Sequence, residues 1–137
     1  MNSTVASYRI DAGGSSLEEI AVYPTVPEGA AAGNHASDLQ ISSDGRFLYG
    51  ANRGHDSIAI FEIDAETGRL SRKVQVPCGG RTRRNLAIAP QGDHLLCANQ
   101  DSDVVTIFTR NAETGALSDS GKTIRIGTPM CLRFAKA

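Results

Sequence analysis

Five short segments of the sequence hold most of its histidines, several of its arginines and several of its carboxylates. Arginine keeps its proton, so its planar guanidinium binds carboxylate or phosphate groups and stabilises developing negative charge. An aspartate or histidine nearby can accept a proton from water. Together these groups can bind an anion and move a proton if the fold brings the segments to one place. The segments are residues 34–38, 52–56, 79–85, 99–103 and 127–130.

The elements that position these segments belong to an internal repeat of 47 residues. Residues 66–70 match residues 113–117 at this offset, and no gap is needed anywhere between the two copies. A repeat of this length is a property of the whole fold, because each copy must form the same structural unit. The same offset pairs Asp38 with Asn85, Gly45 with Gly92, Asn52 with Asn99 and Phe61 with Phe108.

Each copy has the pattern of four short strands separated by turns. In the first copy, apolar residues alternate on both sides of the turn at 42–45, and a second turn lies at 65–68. No segment has sustained helical spacing of its apolar residues. Four strands in about 47 residues are typical of a propeller blade. The sequence therefore predicts an all-β fold, a partial β-propeller of about two and three-quarter antiparallel four-stranded blades.

The repeat boundaries divide the chain, taken as a single incomplete propeller domain, into four parts. Because strands in a blade alternate in direction, the polar segments meet on one face, called here the top face. Asp38, Asn85 and Cys131 are expected nearest the central channel. The parts are the outer strands of one blade with a loop (1–33), a blade (34–80), a second blade (81–127) and the first strand of a further blade (128–137).

Residues 45–58, 82–85 and 98–102 resemble the last third of the seven-bladed lactonase family. That family includes bacterial propeller-type 6-phosphogluconolactonases and the fungal carboxymuconate lactonizing enzyme. The most distinctive motif is at residues 52–56, and the resemblance extends over residues 4–134. It implies a seven-bladed architecture and the hydrolysis, or reversible closure, of a lactone that carries an anionic group. It also implies that no metal or organic cofactor is required.

The resemblance assigns roles to particular residues. Matched by motif, the acidic residue of the site is Asp38 and the conserved arginines are Arg53 and Arg84. Opening a lactone needs a proton acceptor for water and stabilisation of the oxyanion. We therefore expect Asp38, with His35, to act as the base, and the two arginines to hold the anion. The expected substrate-binding residues are His55, Asn85, Asn52 and Gln100.

Two residues depart from the family pattern, and several have a second interpretation. Asp38 stands where many relatives have Glu, which shortens its reach, and Arg83 stands where Pro is common, which is expected to loosen the loop that presents Arg84. Asp38 also fits a side chain that hydrogen-bonds the backbone at a strand start. Arg53 and Arg84 also fit solvated loop charges. Asn52 recurs in both copies, which favours a turn-building role through left-handed backbone.

Composition excludes several classes of partner. The chain has 14 Lys and Arg against 15 Asp and Glu, so it lacks the basic excess of nucleic-acid-binding proteins. Aromatic residues make up 5% and there is no Trp, which leaves few platforms for base stacking. Three cysteines without a CxxC spacing predict neither a disulfide framework nor a zinc site. The sequence shows no membrane-spanning run and no signal peptide, which indicates a cytoplasmic protein without a membrane partner.

The predicted function is that of a lactonase segment acting on an anionic sugar lactone such as 6-phosphogluconolactone. We expect the isolated chain to be weak or inactive, because about seven blades of this length make a closed propeller. One alternative is a non-catalytic propeller segment that serves as a protein-interaction scaffold. Another is a lactonizing cycloisomerase of the muconate type. Open blade edges also predict possible self-association.

Overall fold

The computed structural model describes residues 3–135, which form antiparallel strands joined by short turns. The described part of the chain contains a single helical element, a short 3-10 turn at Gln100–Ser102. The all-β prediction is therefore confirmed. The strands are Thr4–Ile10 (β1), Leu17–Pro24 (β2), His35–Ile41 (β3), Phe47–Arg53 (β4), Ser57–Ile63 (β5), Leu70–Pro77 (β6), Arg83–Ile88 (β7), His94–Asn99 (β8), Val104–Arg110 (β9) and Leu117–Arg125 (β10).

The two copies of the repeat form two four-stranded sheets of the same design. Strands β3 to β6 form one sheet in sequence order, and β7 to β10 form the other. The registers correspond: Leu39 lies opposite Gly50 in the first sheet, and Leu86 lies opposite Cys97 in the second. The inner strand of each sheet also shifts register at the same place, after Ala36 and after Arg83. These two sheets are blades of a partial β-propeller and are called here the first and second blade.

A two-stranded hairpin, β1 with β2, packs on the first blade from the other side. The hairpin corresponds to the outer strands of a blade, as the partial copy in the sequence predicts. Val5 packs into a small apolar cluster with Leu48, Phe61 and other residues of the first blade. The rings of Tyr23 and Phe61 meet edge to face, with centroids 6.4 Å apart.

The main core lies between the two blades. Phe47, Ile58 and Ile60 of the first blade pack against Leu86, Leu95 and other residues of the second, and all five are completely buried. Each such side chain contributes about 1.5–3 kcal/mol by leaving water. The alternation of apolar residues along β4 and β8 supplies this contact, because every second residue of a strand points to the same face. The blades are thus held in a fixed relation, which is what positions their top-face loops.

The end of the chain differs from the sequence-based expectation. The sequence predicts a further inner strand within 128–137, and the structure assigns no strand to residues 126–135. An inner strand needs a partner strand for its backbone groups, and no described strand lies beside these residues. The Leu132 amide instead donates to Asn85 Oδ1 at 2.7 Å. No helix in residues 3–135 is long and apolar enough to cross a membrane.

Candidate active site

The polar segments meet at one end of the blades, as the antiparallel pairing requires. The loop after β4, the loop after β6 and the 3-10 turn after β8 all lie at this end. Asp56 and Asp103, which are equivalent in the repeat, both adopt left-handed backbone, with φ of 51° and 50°. Short polar side chains tolerate this conformation, so the two loops make the same turn. The two top-face loops therefore end alike, at an aspartate four residues after the repeated asparagine.

His35 and Arg53 lie directly opposite each other in the first blade. They form the last register pair of β3 and β4 at the top face. Both residues are half-buried, and the His35 Nδ1 atom is buried without a hydrogen-bond partner. The Arg53 side chain forms no hydrogen bond or ion pair with another residue of the described chain. Its guanidinium is therefore available to an external anion.

In the second blade the side chains of Arg84 and Gln100 are in contact, although Arg84 is equivalent in the repeat to Ser37 and not to His35. Gln100 occupies the repeat position of Arg53, and Arg84 Nε donates a hydrogen bond to Gln100 Oε1. The amide orients the guanidinium without neutralising its charge, since no carboxylate in residues 3–135 pairs with Arg84. The structure thus places two arginines with uncompensated charge on the top face of neighbouring blades.

Asp38 and Asn85 join the inner strands of the two blades. Asp38 Oδ2 accepts a hydrogen bond from Asn85 Nδ2 at 2.8 Å and from the Leu86 amide at 2.7 Å. Asp38 Oδ1 accepts from the Leu39 amide at 2.9 Å. The carboxylate is half-buried and does what the second interpretation of Asp38 predicts, accepting backbone hydrogen bonds on an inner strand.

Asn52 lies inside the protein, and its side chain is fully bonded there. Its amide donates to the Thr25 carbonyl at 2.8 Å, and its carbonyl accepts from Thr25 Oγ1 at 2.7 Å and from Asn34 Nδ2 at 3.2 Å. No polar atom of this buried side chain is left for a substrate, so we do not retain Asn52 as a substrate-binding residue. The positive φ expected at Asn52 is absent; Asp56 carries it instead. Asn52 builds the loop through its side chain.

His55 is exposed on the loop that follows Asn52. Its amide donates to Asn34 Oδ1 at 3.1 Å, and a hydrogen bond of 2.7 Å joins its ring Nδ1 to Ser57 Oγ. The ring is thus oriented by its own loop while one ring nitrogen remains open to solvent or substrate.

Arg83, expected to loosen its loop, is instead a buried residue that ties the two blades together. Its side chain has 0% exposure, and its Nη1 donates to the Asn52 carbonyl at 2.6 Å and to the Ser57 carbonyl. Nη2 lies 3.4 Å from Asp56 Oδ1 and contacts Cys78 Sγ. The expectation of a loosened loop is therefore wrong. Sequence alone gave no signal, since an arginine beside two others in 81–84 resembles a basic rim.

Two buried cysteines lie beside this arginine. The neighbouring Cys97 side chain and the positive charge of Arg83 lower the pKa of Cys78 to about 6 against the opposing effect of burial. The same interaction and burial raise the pKa of Cys97. All three cysteines are free, and Cys131, expected near the channel, is exposed. The sequence separation of Cys78 and Cys97 gave no hint of their contact.

A second buried arginine lies at the opposite end of the interface between the blades. Arg110 Nε donates to the Tyr49 hydroxyl at 2.7 Å, and its Nη1 donates to the Gly92 carbonyl at 2.8 Å. The Tyr49 hydroxyl donates in turn to the Gly115 carbonyl at 2.9 Å. The guanidinium also lies over the ring of Phe47, 5.7 Å from its centroid. Each end of the interface thus contains one buried arginine.

Three cavities differ in their relation to these groups. A shallow one of about 240 Å³ lies beside Asp38 and is lined also by residues of β3. A larger one of about 480 Å³ lies by the hairpin and is lined mainly by apolar groups and by Pro24 and Pro27. The smaller cavity adjoins Asp38, another of about 290 Å³ adjoins His55, and neither is lined by Arg53 or Arg84. Within residues 3–135, no group of three or more His, Cys, Asp or Glu side chains is placed to hold a metal ion.

The repeated antiparallel blades and their paired top-face loops define a segment of a β-propeller. A profile for "Lactonase, 7-bladed beta-propeller" matches residues 1–134. The chain belongs to this seven-bladed lactonase family.

Individual relatives agree with this membership. The chain is 42% identical over 55 residues to the 6-phosphogluconolactonase of Bacillus subtilis, a match that covers 40% of this chain and 16% of that protein. It is similar to the structure of the periplasmic gluconolactonase of Pseudomonas aeruginosa, with a TM-score of 0.91 and 29% identity over 98% of this chain and 37% of that one. A Lactobacillus plantarum protein superposes with a TM-score of 0.93 at 28% identity, covering 98% of this chain and 39% of that one.

The chain therefore spans less than two fifths of the length of each of these relatives. One of them is periplasmic by its description, so the cytoplasmic location of this chain stays a prediction.

Proposed function

We propose that this chain is part of a lactonase that hydrolyses a sugar lactone carrying an anionic group, such as 6-phosphogluconolactone. The observation that carries the proposal is the placement of Arg53 and Arg84 on one face, without a carboxylate partner in the described chain. The arginines that serve the fold, Arg83 and Arg110, are buried and bonded to backbone carbonyls. Arg53 and Arg84 are therefore free to bind phosphate or carboxylate.

The proposed reaction follows from these groups. Water attacks the lactone carbonyl, and the oxyanion that forms is stabilised by a guanidinium, which gives up no proton. The proton of the water goes to His35 or to Asp38, a transfer that contributes typically about 10²–10⁴-fold. Collapse of the tetrahedral intermediate then breaks the bond between the carbonyl carbon and the ring oxygen, and the departing oxygen takes the proton back from the same base. His35 has an unpartnered ring nitrogen opposite Arg53. Asp38 has one oxygen bound by two donors of the second blade, which leaves Oδ1 as its better acceptor.

The remaining candidate residues are assigned to binding the anionic substrate. Gln100 orients Arg84, His55 is exposed beside Arg53, and Asn85 links the two inner strands. We propose His55 as a direct ligand of the substrate and Gln100 and Asn85 as residues that hold the neighbouring ligands. Similarity to the lactonases of Bacillus subtilis and Pseudomonas aeruginosa supports a lactone as the substrate. Since the chain spans 37% of the latter protein, we propose that alone it binds the anion and turns it over slowly.

The test measures binding separately from turnover. The 137-residue chain is titrated with 6-phosphogluconate, a stable anion related to the proposed substrate, while NMR follows the top-face amides. We expect Arg53→Ala and Arg84→Ala each to weaken binding about tenfold, in line with the 1.5–3 kcal/mol of a hydrogen bond to a charged group. Arg81→Ala is the matched control, because Arg81 is exposed on the same face.

Equal weakening by Arg81→Ala would show non-specific attraction and contradict the proposed site. Absence of binding by the unsubstituted chain would contradict the lactonase proposal and favour a scaffold. Hydrolysis of 6-phosphogluconolactone, followed by proton release, then reports turnover for the unsubstituted chain and for the His35→Gln variant. Closure of a muconate to a lactone, with no hydrolysis, would favour the cycloisomerase.

A further inference from the structure

The loop at residues 53–56 carries Arg53 and His55 and is held by an arginine of the neighbouring blade. Asn52 and Ser57 are the register pair that closes this loop. Arg83 Nη1 donates to the carbonyls of both residues, so a single nitrogen fixes both ends of the loop. Arg83 Nη2 reaches Asp56, the last residue of the loop, at 3.4 Å.

The residue that follows Arg83 in the chain is Arg84, the anion-binding candidate of the second blade. Strand β7 shifts register between Arg83 and Asn85, so the directions of the two arginine side chains follow from their contacts. The Arg83 side chain enters the interface between the blades, while the Arg84 side chain meets Gln100 on the top face. The position of the loop at 53–56 is thereby set relative to Arg84 through one residue of backbone.

We propose that Arg83 is the positioning residue of the anion site, which fixes Arg53 and His55 relative to Arg84. The expected effect of Arg83 on anion binding rests on the function proposed above. The contacts by which Arg83 holds the loop do not depend on that function. Burying an arginine is costly unless it is well paired, and Arg83 Nε lacks a partner. The equivalent position in the first blade is Ala36, so the blade design does not itself require an arginine.

The rest of the loop is held within its own blade, which isolates the contribution of Arg83. Asn34 Oδ1 accepts the His55 amide. Gly54, at φ 107°, lies against Gly33, and a Cβ on Gly54 would come within 2.3 Å of the Gly33 carbonyl oxygen. These contacts fix the shape of the loop. They do not relate it to the second blade, so that relation depends on Arg83.

The experiment compares the two buried arginines at opposite ends of the same interface. Arg83→Met removes the top tether, and Arg110→Met removes a guanidinium that is equally part of the interface and lies far from the loop. Amide hydrogen exchange is measured at residues 53–57 in the full chain, together with the affinity for 6-phosphogluconate. We expect Arg83→Met to speed exchange in the loop at least tenfold and to weaken binding about fivefold to tenfold. Arg110→Met should leave both within twofold.

Arg83→Lys serves as the second variant and keeps the experiment decisive if Arg83→Met does not fold. An ammonium can reach the Asn52 and Ser57 carbonyls and cannot span to Asp56 as well, so intermediate loop exchange is expected. Unchanged loop exchange in both Arg83 variants would overturn the proposal, as would equal loosening by Arg110→Met. If the unsubstituted chain binds no 6-phosphogluconate, the proposed function fails. The comparison of loop amide exchange between the Arg83 and Arg110 variants still tests whether Arg83 holds the loop.

Discussion

Asn85 Nδ2 donates to Asp38 Oδ2 at 2.8 Å, so two residues at the same position of successive repeats are joined by their side chains. Asn85 Oδ1 in turn accepts a hydrogen bond from the backbone amide of Leu132, 47 residues further along the chain. Each inner strand is thus bonded at this repeat position to the equivalent segment of the chain that follows it. Asp38, the residue expected to act as the base, therefore also joins the inner strands of the two blades.

We predict that Asp38→Asn destabilises the fold. An asparagine has one acceptor oxygen, so it cannot accept both the Leu39 amide on one side and the Asn85 and Leu86 donors on the other. Leaving a donor unpaired costs about 1–3 kcal/mol. Urea unfolding measures the loss. Glu66→Gln, at an exposed carboxylate, is the control and should change the free energy of unfolding by less than about 0.5 kcal/mol.

The fold was predictable because its signal is repeated. Gly45 and Gly92 recur 47 residues apart, both with positive φ, and the strands between such turns alternate clearly. An incorrect assignment of strands and turns in one copy would have disagreed with the assignment in the other copy. The top face followed from strand direction alone, without knowledge of any side-chain contact.

The contacts between blades were not predictable from the sequence in the same way. Arg83 is charged and sits in a basic run, which normally indicates solvent exposure, yet it is buried by packing between two blades. Cys78 and Cys97 have no spacing signal, since their contact depends on how the blades stack. Asn52 was identified as recurrent, but its bonds to Thr25 of the hairpin lie outside the repeat.

The Tyr49 hydroxyl is predicted to stabilise the lower end of the interface. It is buried, accepts from Arg110 and donates to Gly115, so Tyr49→Phe leaves two buried groups unpaired. We expect a loss of about 2 kcal/mol in the free energy of unfolding. Tyr8→Phe is the matched control, because the Tyr8 hydroxyl bonds Glu19 on the surface. Similar losses in the two variants, measured by denaturant unfolding, would contradict this role.

Gly115 permits a close approach between the blades. Its φ is 72°, and a Cβ would come within 2.3 Å of the Phe47 ring. Gly115→Ala therefore combines backbone strain with an overpacked core, and we expect a loss of about 2–4 kcal/mol. Gly45 has the same φ of 72° with open space around it, so Gly45→Ala should cost only about 1 kcal/mol. Thermal unfolding of both variants separates the steric effect from the backbone effect, and equal shifts would contradict the close approach.

The hairpin leaves one apolar face uncovered, which predicts association of the chain with copies of itself. Tyr8, Ile10, Leu17 and Val22 are between 49% and 68% exposed there. An apolar patch of this kind favours contact with another surface. Light scattering at increasing protein concentration should show species larger than a monomer, and Leu17→Lys, which places a charge in the patch, should reduce them. A monomer at all concentrations would contradict the prediction. Met130→Lys, at an exposed residue near the other end of the chain, controls for charge alone.

Stability is predicted to depend on the ionisation of Cys78. Its pKa is about 6 in the folded protein, because the Cys97 thiol and the Arg83 charge favour the thiolate, against an ordinary value of 9.0. A lowered acid pKa stabilises the folded state fully above the ordinary value, and this contribution is lost as pH falls through about 6.

The free energy of unfolding should therefore rise between about pH 6 and pH 9. Above that range the rise should stop, because Cys78 is then ionised in both states, and stability should fall, because Cys97 with its raised pKa ionises more easily in the unfolded state. Cys78→Ser should remove the rise, since a serine hydroxyl does not ionise here. Cys131→Ser, at the exposed cysteine, should preserve it. Urea unfolding at several pH values measures all three proteins. A rise that persists in Cys78→Ser would assign it to another group and contradict a thiolate beside Arg83.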